Sequence, residues 1–515
     1  MKRILLGILI ILLLINMGCS NYYVGNGNIL PTLDPALSDT EHNNSDNSGD
    51  NSSSVTGRDS ATVGIVDIDT YFPLDTQNSA LRTFFSLIYE SLVTLDNMYN
   101  VSYCLAKDIY TTDGGITWEI ILDTDIKWHN NTYLNADDVI YTIEYIRNNR
   151  TTDYVLLQEI EQVIKISDSC IQIRLMQPNS LFVSKLTFPI VPDASKLAVY
   201  PCGSGMYRFK EVTNTGSYVF EIYKDYRKRK ASIGKLIFTS YTDENALLQS
   251  DSDFMIVNNA LSTNSIVGGS STYLLQQNIY CCLVPSLEMS GSDLYTTNIR
   301  RAVFNSLNRE EIIKHVVSGY AKARYLPIED KTFFWQNDLT YTEPTDFSVT
   351  LENLGYSSPV RIVLCADAHD KELMSVAQIC ASQLEVHGFE VEIVTYDNEE
   401  QLQTIEYSYL LTRIQTENNW EFSPIFAENE ILSYNISAIK NAYMKPNETN
   451  VVDIDAFKVY MQDQIKILGR NYYENMPFVG LYAKYDALLI SNDIHGSQGL
   501  MPTSWNPLMG FENLY

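Results

Sequence analysis

Positive charge is scarce in this chain. Its 515 residues hold 36 Lys and Arg against 63 Asp and Glu, a formal net charge of −27. Gripping a phosphate backbone takes clustered Lys and Arg, so a nucleic-acid partner is not expected. Histidine is rarer still, with six at positions 42, 129, 315, 369, 387 and 495. No His-Glu-x-x-His, Gly-x-Ser-x-Gly or Cys-x-x-Cys occurs, so the usual marks of zinc hydrolases, serine hydrolases and thiol redox proteins are missing. A Gly-x-x-x-x-Gly-Lys-Ser/Thr loop is missing too, which argues against nucleotide binding. Neither an enzyme nor a protein with a cofactor or metal is expected. His129, in the turn after Trp128, is expected to be a surface hydrogen-bonder rather than a ligand.

Long apolar runs are also lacking, apart from one at the N-terminus. Lys2-Arg3 precede an apolar run from Ile4 to Ile15, which is too short to span a bilayer as a helix and reads as an export signal. Gly18-Cys19 follow at once and resemble a bacterial lipobox, although Asn16 stands where that motif prefers Leu. The resemblance implies cleavage after residue 18 and lipidation of Cys19, holding the protein at the extracytoplasmic face of the cell membrane. Loss of residues 1–18 would take the net charge to −29. Besides Cys19 seven cysteines remain, an odd number, and their spacing assigns no structural disulfide. Residues 19–60 are rich in Asn, Ser, Asp and Gly and lack the apolar content to offset their conformational entropy, so they read as a tether.

Beyond the tether the chain is long enough for two or three domains. Leu81, Phe84, Phe85, Ile88 and Leu92 recur at helical spacing. An alternating strand, Thr117 to Leu122, follows the Asp113-Gly114-Gly115 turn. Asn135 then stands as the cap of a helix whose Val139, Ile143 and Ile146 share one face. Farther on, Val360–Leu364, Lys371–His387 and Phe389–Thr395 read as strand, amphipathic helix and strand, the order of a parallel βαβ unit.

Several of these stretches, in this order, resemble family 5 extracellular solute-binding proteins, the receptors of oligopeptide, dipeptide and nickel ATP-binding-cassette importers. They are Tyr89-Glu90-Ser91-Leu92-Val93, Leu105-Ala106, Thr117-Trp118, Trp128-His129-Asn130-Asn131 and Ala136-Asp137-Asp138-Val139. The family reads approximately Tyr-Glu-x-Leu-Val, Leu-Ala, Asp-Gly-x-Thr-Trp, Phe/Trp-x-x-Gly and Ala-x-Asp-Val. Pro201-Cys202-Gly203-Ser204-Gly205-Met206-Tyr207, Asn298-Ile299-Arg300-Arg301-Ala302, Leu354-Gly355-Tyr356 and Met476-Pro477-Phe478 extend the likeness over residues 62–515. The resemblance implies an α/β fold of two lobes, periplasmic-binding-protein-like and of type II, in the large peptide-binding subclass with a hinge. A discontinuous first lobe is expected at 61–272, with an inserted subdomain at about 87–189. The second lobe is expected at 273–480, and 481–515 return to the first. The Gly203/Gly205 loop is expected to be architectural.

The same resemblance implies ligand contacts from Tyr89, Glu90 and Ser91 and from Tyr154. In the family's peptide receptors a segment reading Arg-x-Gly-Trp-x-x-Asp-Tyr-x-x-Pro supplies an aspartate for the peptide α-amino group. Here Arg413, Trp420 and Pro424 match it, and the aspartate is absent, leaving Glu417 or Glu421 as the acid. The implied protein is a monomeric, lipid-anchored receptor that closes on a peptide or other small solute and delivers it to permease subunits. The alternative is a sensory or interaction lipoprotein that kept the fold without transport. Thirty-five Tyr against nineteen Phe suit a cleft that accepts varied side chains.

Overall fold

The computed structural model describes residues 58–97, 100–179, 182–193, 200–260, 263, 269–286, 296–325, 348–415, 463, 466–467 and 469–515. The expected signal peptide, Cys19 and most of the expected tether lie outside them. The tether does not reach residue 60. Arg58 bridges Ile233 in a parallel β-bridge, accepts from the Gly234 N–H and pairs with Asp253 at 2.6 Å, so residues 58–60 already belong to the fold.

A mixed sheet of eleven strands forms the frame. In chain order these strands are β1 (Ala61–Val66), β2 (Tyr207–Val212), β3 (Tyr218–Ile222), β4 (Lys235–Tyr241), β5 (Phe254–Val257) and β6 (Ser270–Pro285), then β7 (Ala321–Ala323), β8 (Val360–Asp367), β9 (Phe389–Tyr396), β10 (Tyr409–Gln415) and β11 (Val479–Ser491). Across the sheet the order is β9-β8-β10-β6-β11-β5-β1-β4-β3-β2, with β7 paired to β11. The helices among the described residues are α1 (Ser79–Phe85), α2 (Ala136–Asn149), α3 (Glu244–Leu248), α4 (Thr297–Ser306), α5 (Arg309–Val316), α6 (Lys371–Val386) and a single turn, α7 (Glu399–Leu402). The expected βαβ unit is present as β8, α6 and β9, with the two strands parallel from Val360↔Phe389 to Asp367↔Tyr396.

Local sequence explains most elements. Asn135 and Asp138 form a reciprocal capping box at the start of α2, whose Val139, Ile143 and Ile146 are buried. Asp370 caps α6, and Leu373, Val376, Ala377, Cys380 and Leu384 bury one face of that helix. Asp113 accepts from the N–H groups of Ile116 and Thr117 and so closes the hairpin turn at Gly114 and Gly115. Asn131, where the family pattern has glycine, takes a left-handed φ of 67°. Leu354-Gly355-Tyr356 closes a hydrogen-bonded turn, with Gly355 at φ 82° and the Tyr356 N–H donating to the Leu351 carbonyl.

Two large hydrophobic cores occupy the two ends of the sheet, and a small third cluster joins Leu247, Met255, Val257, Ala260, Ala487 and Leu489. The first contains Val63, Phe84, Trp128, Ile143, Phe238 and Phe254, and the C-terminal residues Leu508, Phe511 and Leu514 pack into it. A four-stranded sheet of Ala106–Thr111, Thr117–Leu122, Cys170–Leu175 and Ile160–Ser167 adds Trp118, Ile120 and Ile173 to the same core. The second core gathers Val303, Phe304, Leu364, Val376, Leu411 and Tyr482. Among the described strands, β6 and β11 run through both ends, paired from Ser270↔Ser491 to Leu283↔Val479 with a break in register between Gln276 and Tyr280. The expected borders at 272/273 and 480/481 fall inside these strands, so the chain crosses as continuous strand.

Candidate functional site at the facing strand ends

Strand direction locates the site. β5 is antiparallel to β11, from Phe254↔Ile490 to Val257↔Ala487, so it runs toward the middle of β11. β1 and β4 are aligned with β5 and end on the same side, at Val66 and Tyr241. From the other end, β10 is antiparallel to β6, from Pro285↔Tyr409 to Ile279↔Gln415, and β8 runs parallel to β10. The carboxyl ends of both parallel groups therefore face each other across residues 276–280 of β6 and 483–486 of β11. Ligands of open α/β sheets bind outside the carboxyl ends of strands, where backbone groups and loops are free to make contacts.

Polar side chains gather on both sides of this line. On the first side, the Asn78 side-chain amide donates to the Val66 carbonyl at 2.5 Å, and Ser79 Oγ donates to Asn258 Oδ1 at 3.2 Å. Gln277 Nε2 donates both to the Asn258 carbonyl at 2.8 Å and to Asp486 Oδ1 at 2.5 Å. On the second side, Arg413 of β10 pairs with Asp370 and lies 3.2 Å from Glu372 Oε1. Glu372 also faces Lys484 Nζ at 2.9 Å and accepts from the Tyr482 hydroxyl at 2.9 Å. Burial would raise both carboxyls. The Arg413 guanidinium at Asp370, and Lys484 with Arg413 at Glu372, outweigh burial and hold both groups below the usual range.

The sequence-predicted residues divide. Arg413 belongs to this cluster. Tyr154 is half-buried against the first core beneath Arg150, whose guanidinium lies 5.5 Å from the ring centroid. Tyr89, Glu90 and Ser91 do not offer themselves to a ligand, contrary to expectation. Tyr89 is buried edge-on against Phe85, and Ser91 Oγ donates to the Val93 carbonyl at 2.6 Å. Glu90 is 6% exposed and is already engaged by Arg227 at 2.6 Å, Ser204 at 2.9 Å and Tyr226 at 3.3 Å. Their role is to fasten the 201–207 loop and the 226–228 segment to the first core. Glu417, Trp420 and Glu421 lie outside the described residues.

His129 departs from the surface role expected of it. Its ring is wedged under the loop, Nδ1 accepting from the Gly203 N–H at 3.2 Å and Nε2 donating to the Gly205 carbonyl at 2.9 Å. Sequence reasoning missed Asp370, Glu372, Lys484, Gln277 and Asp486. A signal was present for some of them. Asp370 follows a strand and caps a helix in a βαβ unit, and Lys484 and Asp486 interrupt the otherwise apolar β11 at alternate positions.

A two-lobed α/β frame crossed by two strands, with polar groups gathered where strand ends face, defines a solute-binding protein of the type II periplasmic kind. Residues 100–426 match bacterial extracellular solute-binding proteins, family 5, middle part, and the chain belongs to this family. The glutathione-binding protein GsiB of Pectobacterium atrosepticum is 23% identical over 397 residues, covering 69% of this chain and 74% of that relative. Among solved structures, HbpA2 from Haemophilus parasuis superposes with a TM-score of 0.72 at 16% identity, covering 89% of this chain and 99% of that one. The periplasmic murein tripeptide-binding protein MppA, in its unliganded open form, gives 0.70 at 16% identity, covering 89% and 97%. Family members are extracytoplasmic substrate-binding proteins of ABC importers rather than enzymes.

Proposed function

We propose that this chain is the lipid-anchored receptor of an ABC importer and that its solute is an oligopeptide, enclosed between the two lobes and handed to permease subunits. The observation that carries this reading is the pair of facing carboxyl strand ends, joined among the described residues by β6 and β11. A frame with a large core at each end and two connecting strands can close like a hinge, and a solute touching both sides favours the closed state. Two of the similar proteins are named for tripeptide ligands, glutathione and a murein tripeptide, which supports a peptide over other solutes. Gly18-Cys19 after the apolar run supports the anchor. Arg413 and Tyr154 are the peptide contacts proposed for the two sides.

Calorimetric titration of the mature chain with an equimolar tripeptide mixture tests the solute, with free amino acids and glutathione as comparisons. Saturable binding of the mixture at micromolar concentrations is expected. Binding of none of the peptides, glutathione included, would remove the peptide reading and leave the receptor with another solute.

A further inference from the structure

The carboxylates that the two lobes take out of water are mostly matched by a cation. Glu90 faces Arg227, Asp153 faces Arg82, Asp253 faces Arg58, Asp370 faces Arg413 and Glu372 faces Lys484. Half-buried Asp486 has no such partner among the described residues. Its hydrogen-bond donor is the Gln277 amide on Oδ1, and Lys484, two positions earlier on β11, is turned to Glu372. Burial pushes the Asp486 carboxyl up to about 6 with help from Glu244 of α3, while Gln277 and Lys484 pull the other way.

Its position gives the missing cation a source. Asp486 lies on β11, paired with Leu275 one position before the register with β6 breaks, where the carboxyl ends of the two parallel groups meet. Gln277 sits in the same break and is fixed by its second bond to the Asn258 carbonyl, so its amide orients Asp486 and leaves Oδ2 without a donor among the described residues. A primary ammonium brought from water into a closed cleft needs a carboxylate, because unpaired burial of either charge is strongly unfavourable.

The geometry points to Asp486, oriented by Gln277, as the group that receives the primary ammonium of the bound solute between the lobes. As an α-amino site it rests on the peptide reading above. As an ammonium site it stands apart from that reading. Asp486 then separates solutes with a free amine from those without one, a task the sequence pattern assigned to an acid near residue 420.

The test compares wild type with Asp486→Asn, Glu417→Gln and Glu421→Gln, titrated with a tripeptide mixture and with its N-acetylated counterpart. Wild type is expected to prefer the free amines at least tenfold, and Asp486→Asn to lose most of that preference while the two glutamine variants keep it. Peptide binding with the same preference in Asp486→Asn overturns the inference and leaves the peptide reading intact. If wild type binds no peptide, thermal shifts with lysine, ornithine and spermidine decide: stabilisation of wild type but not of Asp486→Asn supports the ammonium site, and no shift in wild type overturns it. Should Asp486→Asn not fold, wild type alone suffices. Affinity for free-amine peptides is then expected to fall as pH drops through about 6, and a flat profile from pH 5 to 8 overturns the site.

Discussion

Glu90 remains charged inside the first lobe. Burial would raise its carboxyl, but Arg227 at 2.6 Å, Lys228 at 3.5 Å and Ser204 at 2.9 Å outweigh burial and hold it below the usual range. Glu90→Gln leaves Arg227, itself a quarter exposed, without its counter-charge, and is expected to cost about 2–3 kcal/mol of stability in urea unfolding. A double variant with Arg227→Met should cost less than the sum of the two single changes, because the second removes the charge the first left unpaired. His129 acts through its protonation state. Burial pushes its imidazole down to about 4 despite the Gly205 carbonyl and Glu90, and Arg208 adds to the depression. The unfolded chain therefore binds a proton on this residue before the folded chain does. Its contribution is complete above about pH 6.5 and declines as pH falls toward 4, by roughly 3 kcal/mol at most. Asp486 opposes it, since a carboxyl raised in the fold favours the fold as pH falls from about 6. The difference between wild type and His129→Gln is thus the measurement to make, and unfolding free energies between pH 4 and 7 should show that slope lost in the variant.

At the scale of elements, the 201–207 loop is held by backbone. The Gly205 N–H donates to the Ile88 carbonyl at 2.9 Å, and the His129 N–H donates to the Gly203 carbonyl at 2.8 Å. A Cβ on Gly203 would lie 1.9 Å from the Ile88 carbonyl oxygen, a backbone atom that cannot swing aside. Gly203→Ala is accordingly expected to lower stability by about 3 kcal/mol, seen as a lower urea midpoint with an unchanged m-value. The architectural role expected of this loop agrees with that contact. Helix α2, strand Thr117–Leu122 and the β8–α6–β9 unit were legible because their caps, turns and periodicities are short-range signals. The start of the fold was less legible. Arg58 looks like tether by composition, yet Asp253, 195 positions away, holds it.

For the whole molecule, the anchor proposed at Cys19 would set where the receptor works. Cys19→Ala is expected to abolish incorporation of a palmitate analogue and to move the protein from the membrane fraction to the medium or leave its signal uncut. Equal labelling of wild type and variant would refute lipidation at this residue. The proposed closure of the lobes is a separate property and would bend at β6 and β11, the latter carrying Lys484 and Asp486.

The sequence by itself determined the family, the two-lobed α/β fold and the helices and strands that begin at strong caps and turns. Those properties follow from motif order and local periodicity, which neighbouring residues encode. Only the tertiary structure decided which polar residues are already satisfied. Glu90 matches the family pattern, but Arg227 and Ser204 reach it from more than 110 positions away and take it out of reach of a solute. Asp486 matches no motif, and it stands beside the facing strand ends because β5 and β10 approach β11 and β6 from opposite directions. A side chain's availability depends on partners brought together by the sheet, and their separation along the chain hides that from any window of sequence.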